Sequence, residues 1–421
     1  RAVPTIKAPV LWIEKSGGKT LVLYRNRGYF SGPWIKIESN KMLRGWISEE
    51  DVESLEVTPL ASEKAEISWN QSRHDSAKTG ASAGVRISNP EIIVQLPDVR
   101  SREVILAKSN DDDVPDLVVC GHRGKKLTAL DGKTLKILWT ASNMDSFSYG
   151  PLYPCVPTIW KKTVLYGDRS GLYLVSLRTG DEKRLTTIAV GWGPMTLAGD
   201  ILYFTELGGP IVAYDLQKNQ ILWKSNRSGD VSTLTIDAKS RRLFASISES
   251  PVVFNLDSGQ EINWGDGRVP MQFFPTIYDN LVFSGSTDHH FYMRDRETGR
   301  IVYSYYFGQP VTAAVVVSSG IAVVAGADGR VVGIDVERKK DIWTFRSRNQ
   351  FRSSPAIGGD TVYVADNSDK LYALDLFDGH LIWEFKIVGG IQSDISFSGR
   401  YLGLISSTQD LYLIGQSPSR H

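Results

Sequence analysis

A self-similar period of about forty residues constrains this chain more than any other feature of it. Short apolar strands that end in Asp, or in another residue at the same place, stop at Asp131, Ser176, Asp215, Asn255, Asp295, Asp335, Asp375 and Gly415. The steps between these anchors are 45, 39, 40, 40, 40, 40 and 40 residues. Eight positions after an anchor stands an aromatic residue: Trp139, Trp223, Tyr303, Trp343 and Trp383, with Trp264 one residue late in the copy anchored by Asn255. The copy around Ser176 has no aromatic there.

Each period holds four short strands separated by turn residues. In one copy these are Ser354–Ile357, Thr361–Ala365, Lys370–Leu374 and Leu381–Phe385, divided by Gly358-Gly359-Asp360, Asn367-Ser368-Asp369 and Asp378-Gly379. Forty residues in four strands is the size of one propeller blade. A solenoid of parallel coils would need shorter repeats and could not use such tight turns. The constant spacing also argues against a stack of unrelated hairpins or a sandwich. The expected fold is therefore all-β, an eight-bladed β-propeller of four-stranded blades. The last copy ends without an outer strand, and the apolar segment Glu91–Leu96 is the natural donor. Such a borrowed strand closes the ring and covers an edge that would otherwise invite aggregation.

The repeat resembles that of the propellers related to pyrroloquinoline-quinone dehydrogenases, whose tryptophan-docking motif reads Ala-x-Asp-x-x-Thr-Gly-x-x-x-Trp. It stands here as Ala129-Leu-Asp131 with Thr134 and Trp139, Ala213-Tyr-Asp215 through Trp223, Gly333-Ile-Asp335 through Trp343, and Ala373-Leu-Asp375 with Gly379 and Trp383. Asp295 with Thr298 and Gly299 keeps most of the motif, and Trp69–Gly80 is similar to the lead-in that often precedes a first blade. The resemblance covers roughly residues 66 to 421. It implies a structural role for Asp131, Trp139, Asp215, Trp223, Asp295, Asp335, Trp343, Asp375 and Trp383: each indole lies over a neighbouring blade while the Asp ties its turn together.

Before residue 58 the period is absent. Short strands around Leu11–Ile13, Lys19–Tyr24, Trp34–Glu38 and Leu43–Ile47 are broken by Gly17-Gly18, Gly28, Gly32-Pro33 and Ser39-Asn40. That texture suits a small barrel. The order Gly28, Gly32-Pro33-Trp34 and Gly45-Trp46-Ile47, followed by an acidic run, resembles a bacterial SH3-like domain. The resemblance implies a peptide, cell-wall or protein contact through exposed aromatics, for which Trp12, Tyr24, Tyr29 and Trp34 are the candidates; packing in a small core is the other reading of the same residues. The expected organisation is an SH3-like barrel over 1–57, a linker and lead-in over 58–90, and the propeller over 91–421.

A working quinone dehydrogenase of this family would carry calcium-liganding carboxylates, a catalytic Asp and, in many members, two adjacent cysteines against the quinone. Cys120 and Cys155 are the chain's two cysteines and stand 35 positions apart. Either they pair in an oxidising compartment or both are buried thiols. The segment Lys108–Leu117 resembles the calcium loop of some propeller repeats, with Asn110, Asp112 and Asp116 at ligand positions. Lys108 replaces the first carboxylate and Asp113 the usual Gly, which favours a solvated acidic turn. His289-His290 are adjacent, so on a strand they point to opposite faces and suit a turn better than a shared metal. No catalytic residue and no cofactor are expected.

With 48 Lys and Arg against 47 Asp and Glu, the chain lacks the basic excess that nucleic-acid binding requires. No run of apolar residues is long enough for a transmembrane helix, which leaves peripheral association with a membrane open. Arg1–Thr5 lack the pattern of a signal peptide, so the chain reads as a processed or trimmed product. The expected function is a non-catalytic scaffold or protein-interaction subunit of a bacterial envelope or extracellular assembly, periplasmic or secreted, with protein partners. Similar propellers act in outer-membrane protein assembly. The alternative is an enzyme or binding protein that holds a metal, quinone or sugar at the ring mouth.

Overall fold

A computed structural model describes residues 10–16, 19–26, 34–39, 44–48, 81–82, 86–99, 101, 104–107, 114–120, 127–141, 157–191, 193–248, 250–265, 275–311, 313–351, 353–391 and 393–416. The chain divides into two compact units, Arg1–Glu66 and Ile67–His421. In the first, Val10–Ser16, Lys19–Asn26, Trp34–Ser39 and Arg44–Ser48 form a four-stranded antiparallel meander. Trp12, Tyr24 and Trp34 lie on its strands, their side chains outside the described part of the structure, and Tyr29 lies outside the described residues altogether.

The second unit is an eight-bladed propeller of four-stranded antiparallel blades. From blade 1 to blade 8 the innermost strands are Ile105–Ala107, Thr158–Trp160, Thr196–Ala198, Val231–Asp237, Thr276–Tyr278, Val316–Ser318, Ala356–Gly358 and Ser396–Ser398. The outermost strands of blades 1 to 7 are Ile137–Thr140, Glu182–Thr186, Gln220–Ser228, Glu261–Ile262, Ile301–Tyr306, Lys340–Arg346 and Leu381–Lys386. Blade 8 takes its outermost strand from the start of the ring: Pro90–Leu96 pairs antiparallel with Leu411–Gln416. The donor expected at Glu91–Leu96 is thus in place. Blade 4 has the shortest outer strand among the described residues, Glu261–Ile262, paired with Phe254 and Val253.

Because the strands alternate in direction, the turns joining strands 1 to 2 and 3 to 4 share one face of the ring. The turns joining strands 2 to 3, and the connectors between blades, share the other. The core lies between blades. Among the described residues it consists of eight apolar clusters, one at each seam. The two middle strands of a blade are packed on both sides, so they are nearly all apolar: Ile321–Ala325 is buried throughout. Cys120 is buried and disulfide-bonded; Cys155, the only other cysteine of the chain, lies outside the described residues. Among the described residues no helix is long and apolar enough to cross a membrane.

Candidate functional site: docking seams and turn faces

In the five periods anchored by Asp, its carboxylate closes the turn between strands 3 and 4. Asp131 Oδ1 accepts the backbone N–H of Thr134 at 2.6 Å and its hydroxyl at 2.7 Å. Asp295 does the same with Thr298 at 2.8 and 2.6 Å. Asp215 accepts from Lys218 N at 2.8 Å, Asp335 from Arg338 N at 2.8 Å and Asp375 from Phe377 N at 2.9 Å. The threonine hydroxyl bond is the main cause holding the Asp131 and Asp295 carboxyls below their ordinary range.

The tryptophans cross the seams. Trp139 Nε1 donates to the Leu177 carbonyl at 2.7 Å, Trp223 to Leu256 at 2.9 Å, Trp264 to Arg296 at 2.9 Å and Trp343 to Leu376 at 2.9 Å. Each acceptor directly follows the anchor residue of the next blade. A small residue stands opposite four docking tryptophans across the blade, as Ala129 with Trp139, Ala213 with Trp223, Gly333 with Trp343 and Ala373 with Trp383. The glycine of the next docking turn receives the ring: Gly379 has φ +71, and a Cβ there would stand 2.5 Å from Trp343 Cδ2. Gly therefore serves both backbone and packing at that position.

Blades 2 and 5 lack the docking tryptophan and use another aromatic. Trp160, at the end of the inner strand of blade 2, donates from Nε1 to Asp200 Oδ1 of blade 3 at 2.8 Å. Tyr278, at the same place in blade 5, accepts the Gly320 N–H of blade 6 at 3.1 Å. In blades 1, 3, 6 and 7, which carry Trp139, Trp223, Trp343 and Trp383, that place holds Ala107, Ala198, Ser318 and Gly358. Trp160 and Tyr278 thus reach across their seams from the inner strand.

The seam between blades 4 and 5 is built differently. The residue after the anchor is Leu177, Leu216, Leu256 or Leu376 in blades 2, 3, 4 and 7, but Arg296 in blade 5. Its guanidinium is paired with Asp237 of blade 4, their side chains 8% and 0% exposed. Arg296 Nη1 also donates to the Asp279 carbonyl at 2.8 Å. Among the described residues the apolar cluster here is small, with Phe244, Val253, Ile277 and Val282 beside Trp264.

The seam between blades 7 and 8 is closed from a distance. Blade 8 is completed by the N-terminal strand, so no continuous docking turn leads out of it. Trp383 Nε1 donates instead to the Ile87 carbonyl at 2.6 Å. Arg86 Nη2 meets Asp375 Oδ2 at 2.7 Å, Ile87 N donates to Tyr363 OH at 3.1 Å, and Gln416 Oε1 accepts Ser88 N at 2.7 Å. Farther in, Ala81–Ser82 adds a parallel fifth strand to Ile357–Gly358, on the free inner edge of blade 7. Residues 81 to 96 thus contribute at the centre of the ring, along a seam and at its rim.

On the opposite face the turns between strands 2 and 3 carry their own carboxylates. Asp366, 1% exposed, accepts the Ser347 hydroxyl at 2.7 Å, the Tyr372 hydroxyl at 2.8 Å and the Ser368 N–H at 2.9 Å. Burial alone would raise this carboxyl, yet those bonds outweigh it and hold it below the ordinary range. A depressed folded pKa stabilises the protein above the unfolded value, and that contribution is lost as pH falls through the folded one. The stability gap between the protein and Asp366→Asn will accordingly narrow as pH drops from about 6 to about 3, across the ordinary Asp value near 3.9; urea midpoints at a series of pH values measure it.

Of the calcium-loop residues, Asn110 and Asp112 lie outside the described residues. Asp116 is fully buried, and its Oδ1 accepts the Gly132 N–H at 3.2 Å. Among the described residues, one group of three carboxylate and imidazole ligands converges: Asp375, Asp378 and His380. It belongs to the docking turn of blade 7, where Asp375 is paired with Arg86. The adjacent cysteines found in many quinone dehydrogenases have no counterpart here: the chain has two cysteines, 35 positions apart, one of them disulfide-bonded.

Over residues 252–401 the chain matches the family model described as outer membrane protein assembly factor BamB. The BamB of Yersinia pestis is 22% identical over 236 residues, which are 48% of this chain and 58% of that protein. The chain thus spans little more than half the length of that relative. The crystal structure of BamB from Moraxella catarrhalis superposes with a TM-score of 0.56 at 14% identity, covering 77% of this chain and 99% of that one. A quinohemoprotein alcohol dehydrogenase from Pseudomonas putida HK5 superposes with a TM-score of 0.63 at 11% identity, covering 85% and 81%. With its anchored turns and docked tryptophans, the ring shares the propeller fold of these proteins and is similar, over residues 252–401, to the BamB assembly factors.

Proposed function

We propose that this chain is a non-catalytic scaffold, a protein-interaction subunit of a bacterial envelope assembly at the outer membrane. The observation that carries this reading is where the repeated chemistry goes. The anchor carboxylates and docking tryptophans are spent inside seams and turns, and what varies from blade to blade is the surface of the two faces. The match to an outer-membrane assembly factor supports the same reading, as does the Cys120 disulfide, which suits an oxidising compartment such as the periplasm. The N-terminal unit, read as an SH3-like domain, makes a second contact, and two linked weak contacts gain avidity through effective concentration. The second reading, quinone or metal chemistry at the ring mouth, draws on the fold shared with quinohemoprotein dehydrogenases. Size-exclusion chromatography of native extract separates the two. The scaffold elutes well above its 46.7 kDa together with a fixed set of proteins; elution as a lone chain, whatever the salt, speaks against it.

A further inference from the structure

Blade 5 carries an aromatic group on the face of the connectors. Tyr306 ends its outer strand and is 61% exposed. It is paired across the ladder with His290, their ring centroids 5.1 Å apart, and His289 stacks beside it at 6.3 Å and 28°. His289 takes φ +74 in the turn, at the place where the turn of blade 6 has Gly329 at φ +79. Asp288 completes the group: its Oδ2 accepts the Tyr292 hydroxyl at 2.6 Å and its Oδ1 the His290 N–H at 3.1 Å. These bonds outweigh burial and keep the carboxyl below its ordinary range, hence charged.

The neighbouring rings already show what such surfaces hold. Arg294 lies over Tyr292 at 5.5 Å, and Arg330 lies 5.9 Å from Tyr305 and 5.1 Å from Phe307. Among the described residues no cation lies over Tyr306, the most exposed ring of the group. An electron-rich ring face next to a carboxylate attracts a cation, a guanidinium above all, since it can stack and donate at once. A well-exposed tyrosine in a rigid setting is also a typical anchor of a protein interface.

We infer that the Tyr306–His289–His290–Asp288 group is a docking site for a basic, arginine-bearing segment of a protein partner. The inference rests on the scaffold reading and names the chemistry of one of its contacts. The guanidinium lies on the Tyr306 ring and its N–H groups reach the Asp288 carboxylate, as Arg330 does intramolecularly with Tyr305, Phe307 and Asp328.

The test titrates the full chain with an acetylated tetra-arginine peptide, followed by surface plasmon resonance. Tyr306→Ala is expected to weaken binding at least tenfold, Tyr306→Phe to preserve it, and Asp288→Asn to weaken it several-fold and flatten its salt dependence. Tyr306 is exposed, so these variants keep the fold, which circular dichroism verifies. Absence of binding, or binding that Tyr306→Ala leaves unchanged, overturns the site. So does Tyr306-dependent binding of chitotriose in place of the peptide, which would make the platform a sugar site. The scaffold reading fails separately, when the chain elutes alone from native extract. A large assembly that Tyr306→Ala leaves intact discards this docking site and keeps the scaffold.

Discussion

Asp237→Ala will lower the unfolding free energy by about 3–5 kcal/mol, the cost of leaving one member of a buried ion pair without its partner. Arg296 is 6% exposed and keeps its charge, and no other carboxylate among the described residues is bonded to it. Among the described residues, the seam it crosses has the smallest apolar cluster of the ring. The decisive comparison is the double variant Asp237→Ala with Arg296→Leu. Leucine stands at this place in four other blades, and a buried pair replaced by apolar residues is often neutral. Urea denaturation is expected to show most of the loss recovered in the double variant. If Asp237→Ala alone costs less than about 1 kcal/mol, in the range of an exposed pair, the seam does not depend on this bridge.

The second large effect concerns residues 81 to 96. A chain beginning at residue 81 keeps every closing contact described above, whereas one beginning at residue 97 loses the outer strand of blade 8 and the acceptor of Trp383 together. Ile87, Val94 and Leu96 are buried in the intact ring. At about 1.5–3 kcal/mol for each buried aliphatic side chain, their removal alone approaches the whole stability of a typical domain, about 5–15 kcal/mol. The chain from 81 is expected to fold with a cooperative melting transition. The chain from 97 is expected to aggregate, since an unpaired strand edge at Leu411–Gln416 is exposed. A soluble, cooperatively melting chain from residue 97 would show that closure does not rest on this segment.

The ring was legible because a propeller repeats its chemistry at a fixed interval. The same turn needs the same Asp, and the same seam needs the same indole, so Asp131 with Trp139 and Asp375 with Trp383 stand out at one spacing. Closure by Glu91–Leu96 was legible because a missing fourth strand leaves a countable deficit. What escaped were the solutions that leave that register. Ala81 and Ser82 carry no apolar pattern and pair with residues some 276 positions away. Trp160 and Tyr278 do the work of the absent indoles from a different strand. A signal for them existed: among blades 1 to 7 the residue before the first turn is small where the docking tryptophan is present, except Asp237, and large in blades 2 and 5, where it is not. Asp237 and Arg296 were invisible as a pair, since each looks like an ordinary surface charge until the seam buries both. His289-His290 were legible as a turn, but their ring contacts with Tyr306 were not, since the group belongs to one blade and no repeat draws attention to it.

The most direct test of the central claim, a ring that works by contact and not by chemistry, uses protein purified from its native source. Metal analysis and an absorbance scan for bound quinone are run on the same size-exclusion fractions. The account predicts a large assembly of fixed composition whose propeller subunit carries neither quinone nor stoichiometric calcium. A lone chain with bound quinone, or with one calcium per chain, would contradict it.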